Sequence, residues 1–199
     1  MERSVEWVSA ILARDGTRRE YALQELEDGY EKHPSRAGRR QLRLAARALV
    51  VDPAWPARML ATELLGRHGL LADVAAIRLS AADRCWPVRA SAYSALADLA
   101  GKREMRSILR GFNDRNAIVR RYAYVALGDA VGREAIESLR ARLGVERSPL
   151  ARVGLFAALA ELGEVDAKQA LSTLAQSSNR RISSPAIATL AEIDEERSA

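Results

Sequence analysis

Along this chain apolar residues return every third or fourth position, and the whole grouping of apolar, basic and acidic positions returns about every 31 residues. With Arg58 as position zero, Arg89, Arg120 and Arg152 follow at steps of 31, 31 and 32. Seven residues after each stands a leucine (Leu65, Leu96, Leu127, Leu159), and three after each an apolar residue (Ala61, Ala92, Ala123, Leu155). Six residues before each stands a carboxylate (Asp52, Asp83, Asp114, Glu146). Arginine makes up about 0.14 of the chain, so three further hits in register have a chance expectation of about 0.003 before the other columns count. Positions zero, +3, +7 and +10 share one stripe of a helix, not one face of a strand. A second apolar column, Ile77, Ile108, Leu139 and Leu171, keeps the same steps ahead of the first. Each unit is therefore predicted to be a hairpin of two helices, A and then B.

Start and stop signals fit this frame. Ser148-Pro149 and Ser184-Pro185 read as an N-cap followed by proline at the first helical position, and Gly101, Gly132 and Gly163 stand where helices stop. On the N-terminal side Arg19, Ala22 and Leu26 fit the columns, but the step to Arg58 is 39. That step implies an insertion of about eight residues around Glu31 to Gly38, read as loop from His33-Pro34-Ser35 and Gly38. On the C-terminal side Ala186 and Leu190 fit while Ser183 replaces the arginine. The frame predicts one domain over residues 1–199 with six units, at about 4–31, 36–68, 70–100, 102–131, 133–163 and 165–195, degenerate at both ends as terminal repeats are.

An Asp, a Val-Arg pair, then Ala and Leu at helical spacing is clearest from Asp83 to Gly101, with Val88-Arg89, and from Asp114 to Gly132, with Val119-Arg120. This pattern resembles the HEAT-repeat family in the short bacterial form known from bilin-lyase-like HEAT proteins, over roughly residues 40 to 192. The resemblance implies an all-α, right-handed α-α superhelix (an armadillo-type α-solenoid) of about six HEAT-like hairpins. It also implies that Asp52, Arg58, Asp83, Arg89, Asp114, Arg120, Glu146 and Arg152 form a structural ladder tying one inter-helix turn to the next. What it implies is an architecture and not an activity, since such repeats serve scaffolds, regulators, lyases and nucleic-acid enzymes alike.

Composition narrows the setting. Of 199 residues 48% are hydrophobic and 29% charged, enough apolar material for a core, which argues against disorder. The single Cys85 forms no internal disulfide and suits a reducing compartment. The longest uncharged run, Gln169 to Asn179, has 11 residues, well short of a membrane span, and the N-terminal residues hold no signal-like apolar run, so a cytoplasmic location is expected. The net charge is +5, with 28 of the 31 cations arginine. The segment Arg36 to Val51 carries five of these and no acid, and the rest of the chain balances at 26 against 26.

Three surfaces are candidates for function. Projected at 100° per residue, the B-helix positions +1, +5 and +8 are small and mostly uncharged, and on a HEAT-like geometry they face a concave groove. Position +4 carries Tyr93, Tyr124 and Phe156 in consecutive units. Together with Ala97, Arg121, Val153 and Ala157 these aromatics are predicted to bind a protein partner, although they also suit filling between neighbouring helices. Arg36, Arg39, Arg40, Arg43 and Arg47 lie within about 100° on a helical wheel, a stripe suited to anions, an acidic partner or nucleic acid, or else to pairing with acids of the fold. Trp55-Pro56 and Trp86-Pro87 repeat in the turns, where packing and recognition both use tryptophan.

Catalytic classes are met by subtraction. His33 and His68 stand outside any His-Glu pair, which leaves no metal motif. There is no glycine-rich phosphate loop and no Ser-His-Asp signature. The HEAT-like alkylpurine DNA glycosylases rely on an aromatic and acidic concave pocket, and here that face is Ala, Gly and Ser. The sequence therefore points to a non-catalytic scaffold or regulatory adaptor with no cofactor and no metal, binding a protein partner. Nucleic-acid binding through the Arg36 to Arg47 helix is the alternative.

Overall fold

The computed structural model describes Ile11 and residues 15–196, and among these every regular element is helical. The chain divides into two compact units, Met1–Ala100 and Gly101–Ala199. The first holds α1 (Gly16–Lys32), α2 (Arg36–Leu49), α3 (Trp55–His68), α4 (Val74–Ser80) and α5 (Trp86–Ala100). The second holds α6 (Met105–Arg110), α7 (Ala117–Val131), α8 (Ile136–Leu143), α9 (Pro149–Glu161), α10 (Val165–Ala175) and α11 (Arg180–Glu196). Short 3-10 turns, Leu71–Asp73, Gly101–Glu104 and Gly132–Ala135, lead into three of the A helices.

The hairpin frame fits these elements, with α1, α3, α5, α7, α9 and α11 in the B position. The A helix expected for the unit placed at 4–31 falls, apart from Ile11, outside the described residues. Gly101, Gly132 and Gly163 have φ of +50°, +58° and +95°, conformations glycine reaches without a Cβ clash, and each follows a B helix. Two local expectations are corrected. The extra eight residues before Arg58 are not a loop: only 33–35 separate α1 from α2, and Gly38 lies inside α2. The length goes into the A helix, which has 14 residues against 7 in α4 and 6 in α6, because Ser35 caps it early by accepting from the Gly38 N–H at 3.0 Å. Likewise Ser184-Pro185 does not open a helix. Asn179 does, accepting from the Arg181 N–H at 3.0 Å, and Pro185 sits inside α11. The Ser148 cap before Pro149 is present as expected.

The repeat columns make the cores. Ile77, Ile108, Leu139 and Leu171 are fully buried, as are Leu65, Leu96 and Leu127, with Leu159 almost so. In the first unit α3 packs on α1, α2, α4 and α5; in the second α9 packs on α7, α8, α10 and α11. Neighbouring B helices approach at backbone range. A Cβ built on Gly66 would lie 2.8 Å from the Cα of Ala95, and one on Gly154 would lie 2.3 Å from the carbonyl oxygen of Arg121. Only glycine fits at those two crossings.

Candidate functional site

The repeated charged residues meet across the turns. Arg58, at the start of α3, donates through Nε and a terminal nitrogen to the two carboxylate oxygens of Asp83 at 2.6 and 2.9 Å. Its other terminal nitrogen donates to the carbonyls of Asp52 and Pro53 at 2.7 and 3.0 Å. Arg120 repeats the geometry in the second unit, holding Glu146 at 2.7 and 2.9 Å and the Asp114 carbonyl at 2.8 Å. Arg89 reaches the carbonyls of Asp83 and Arg84 at 2.9 and 3.2 Å. One unit earlier, Arg19 lies 2.6 Å from Asp52.

Each carboxylate also caps its own turn. Asp52, Asp83, Asp114 and Glu146 accept from the backbone N–H two residues on, in Ala54, Cys85, Asn116 and Ser148, at 2.7 to 2.9 Å. The arginine thus takes the carboxylate of the following unit and a main-chain carbonyl of its own, so one side chain fixes two turns. Burial would push the Glu146 carboxyl up, but hydrogen bonds from Arg120, Ser148 and Tyr124 outweigh it and hold it at about 2. Burial acts the same way on Asp83, and Arg58 and the Cys85 N–H likewise bring it below the usual carboxylate range. Arg152 breaks the series. Ser177 stands where the next carboxylate would be, and the Arg152 guanidinium donates to the Leu143 carbonyl at 3.1 Å and lies over the Phe156 ring.

The aromatic groove is corrected. Tyr93 is 5% exposed and Tyr124 is fully buried, its hydroxyl donating to Glu146 at 2.8 Å and its ring set edge-on to Phe112. Ala97, Val153 and Ala157 are buried as well, while Arg121 and Phe156 are half-buried. Within each unit the physical reason is the close approach of neighbouring B helices, α3 to α5 and α7 to α9, which brings positions such as Gly66 and Arg121 into the seam between them. In α11, the last B helix, the corresponding Ser184, Ala188 and Ala191 are exposed.

The arginine stripe of α2 divides in two. Arg43 and Arg47 lie 3.4 and 3.3 Å from Asp73, a fully buried carboxylate that also accepts from the Leu70 N–H at 2.8 Å. Arg39 donates to the His68 carbonyl at 3.2 Å. Arg36 and Arg40 are exposed and have no hydrogen-bond or ion-pair partner among the described residues. Next to this helix, buried Glu27 gathers Arg67 at 2.9 Å and His68 at 3.4 Å, a polar cluster that spacing alone did not reveal.

Trp55 and Trp86 stand in one register at the starts of α3 and α5, which pack side by side, and both are about two-fifths exposed. Val51, in the turn before α3, and Leu79, in the last turn of α4, are 69% and 66% exposed. Among the described residues no group of three or more His, Cys, Asp or Glu could hold a metal ion, and no helix is long and apolar enough to cross a membrane. No protein-family model matches the chain, and no curated protein matches it.

Proposed function

We propose that this chain is a non-catalytic scaffold of HEAT-like hairpins, wound as a right-handed α-α superhelix, that binds a protein partner through the turn edge of its first unit. The observation that carries this reading is the pair Trp55 and Trp86, 42% and 41% exposed in the same register of consecutive hairpins. Large aromatic side chains on the ends of packed helices offer contact area at low entropy cost, the character of interface anchors. Val51, four residues before Trp55 in the turn that leads into α3, adds exposed apolar area there.

The ladder supports the non-catalytic part. A catalytic role for its carboxylates would need one unit to depart from the others, whereas Asp52, Asp83, Asp114 and Glu146 share one turn geometry. The lone Cys85 suits a cytoplasmic setting.

Affinity capture from cell extract, run in parallel with the native chain and a Trp55→Ala/Trp86→Ala variant, tests the reading. A protein held in stoichiometric amount by the native chain and lost with the variant, at unchanged circular dichroism, is the expected result. An identical set of captured proteins overturns the assignment to this edge.

A further inference from the structure

Residues 101–147 hold eleven Lys and Arg against six Asp and Glu, while residues 148–199 hold five against seven, so the basicity is concentrated locally. The fold sharpens the imbalance at the surface. Glu146 is buried on Arg120 and Tyr124, Glu104 is buried, and Glu134 pairs with Lys102 at 2.6 Å. Asp114 and Asp129 are engaged too. Of the six acids only Glu137 is exposed without a partner among the described residues. Against it stand Arg103, Arg106, Arg110, Arg115 and Arg147, all exposed and, among the described residues, without a hydrogen-bond or ion-pair partner.

Arg103, Arg106 and Arg110 are three and seven positions apart on the helical stretch formed by the Gly101–Glu104 turn and α6, so they line one side of it over about 11 Å. Arg115, also exposed, stands in the turn before α7. Arg147 stands at the matching place before α9, whose axis runs about 8–10 Å from that of the α7 helix it packs on. The stripe is peculiar to this hairpin. The matching positions are Ala72, Ala75 and Leu79 in the preceding one, and Glu134, Glu137 and Ala141 in the following one. Repeat architecture therefore does not require these arginines.

We propose that this arginine surface binds the phosphate backbone of double-stranded nucleic acid without sequence preference. The guanidinium fork matches phosphate oxygens two at a time, and a duplex presents about one negative charge per 1.7 Å of axis, several along a stripe of this length. The surroundings favour a duplex over other anionic partners. Within 101–147 the only large apolar side chains exposed among the described residues are Tyr122 and Val145, so the anchors of a protein interface and the stacking platform of a single-strand site are both sparse. Backbone binding needs neither.

The experiment is fluorescence anisotropy with a labelled 25-base-pair DNA duplex of arbitrary sequence, titrated with the full chain between 50 and 200 mM salt. Expected is binding at 50 mM that weakens steeply with salt. Arg103→Gln/Arg106→Gln/Arg110→Gln should weaken binding at least about tenfold and lower the logarithmic salt slope by about 2.7. The matching triple lysine variant should keep most of the affinity, and thermal melting of both variants should match the native chain. No binding at 50 mM salt overturns the proposal, as does a salt slope unchanged in the glutamine variant. It is also overturned if Arg36→Gln/Arg40→Gln abolishes binding while the α6 variant leaves it intact, or if polyglutamate binds as tightly as the duplex.

Discussion

Arg120 and Glu146, 26 positions apart in the chain, meet through two hydrogen bonds of 2.7 and 2.9 Å, and the buried Tyr124 hydroxyl donates to the same carboxylate. The pair joins the turn before α7 to the turn before α9. Arg58 and Asp83 do the same between the turns before α3 and α5. In a chain of this kind a recurring acid and base at fixed spacing marks where one repeat is fastened to the next.

Acid should loosen this fastening in a defined window. Glu146 is held at about 2 in the folded chain against an ordinary value of 4.5, so its contribution is fully present above pH about 4.5 and is lost as the pH falls through about 2. Asp83, also lowered, acts in the same direction. Urea midpoints measured between pH 6 and pH 2 are expected to fall mainly below pH 4.5, and in Glu146→Gln the fall should be smaller. A midpoint that stays flat down to pH 2 would contradict this.

Close helix crossings should tolerate no side chain. In Gly154→Ala the new methyl meets the Arg121 carbonyl oxygen at 2.3 Å, and in Gly66→Ala it meets the Ala95 backbone at 2.8 Å. Both crossings are backbone to backbone, so relief requires moving a helix, with an expected loss of about 1–3 kcal/mol for each substitution. Gly144→Ala, where nothing lies within 4 Å, is the control and should stay within about 0.5 kcal/mol. Chemical denaturation of the three variants decides it.

The two ends of the α2 stripe should respond differently. Asp73→Ala removes a fully buried carboxylate and leaves Arg43 facing no counter-charge, a loss of roughly 3–5 kcal/mol. Arg40→Ala removes an exposed side chain that has no partner among the described residues and should change stability by less than about 0.5 kcal/mol. Equal losses would contradict the division of the stripe.

Much of the architecture was legible from residue order because burial is periodic. Ile77, Ile108, Leu139 and Leu171 stand out as a column since each fills the same place in its hairpin, and the positive-φ glycines mark the ends of B helices. The groove was misread because a helical wheel gives an angle and not a distance. Small residues at +1, +5 and +8 suit an open wall and a tight seam equally, and the contact of Gly66 with Ala95 decides for the seam. The α2 arginines were half legible, since their wheel position says nothing of Asp73, which comes from the next hairpin. The Arg103 stripe is not legible from net charge, because acids at both ends of the chain offset it and the total of +5 equals the five arginines of α2 alone.

The most direct test of the central claim, that the repeated acid–base pairs carry the architecture, is a double-mutant cycle on Arg120→Ala and Glu146→Ala read by urea denaturation. Each single variant should lose roughly 3–5 kcal/mol, because either leaves a buried partner uncompensated. The double variant should lose less than the sum of the two by 1 kcal/mol or more. Losses that add to within about 0.5 kcal/mol would show that the two residues act independently, and the ladder would not be what ties the turns.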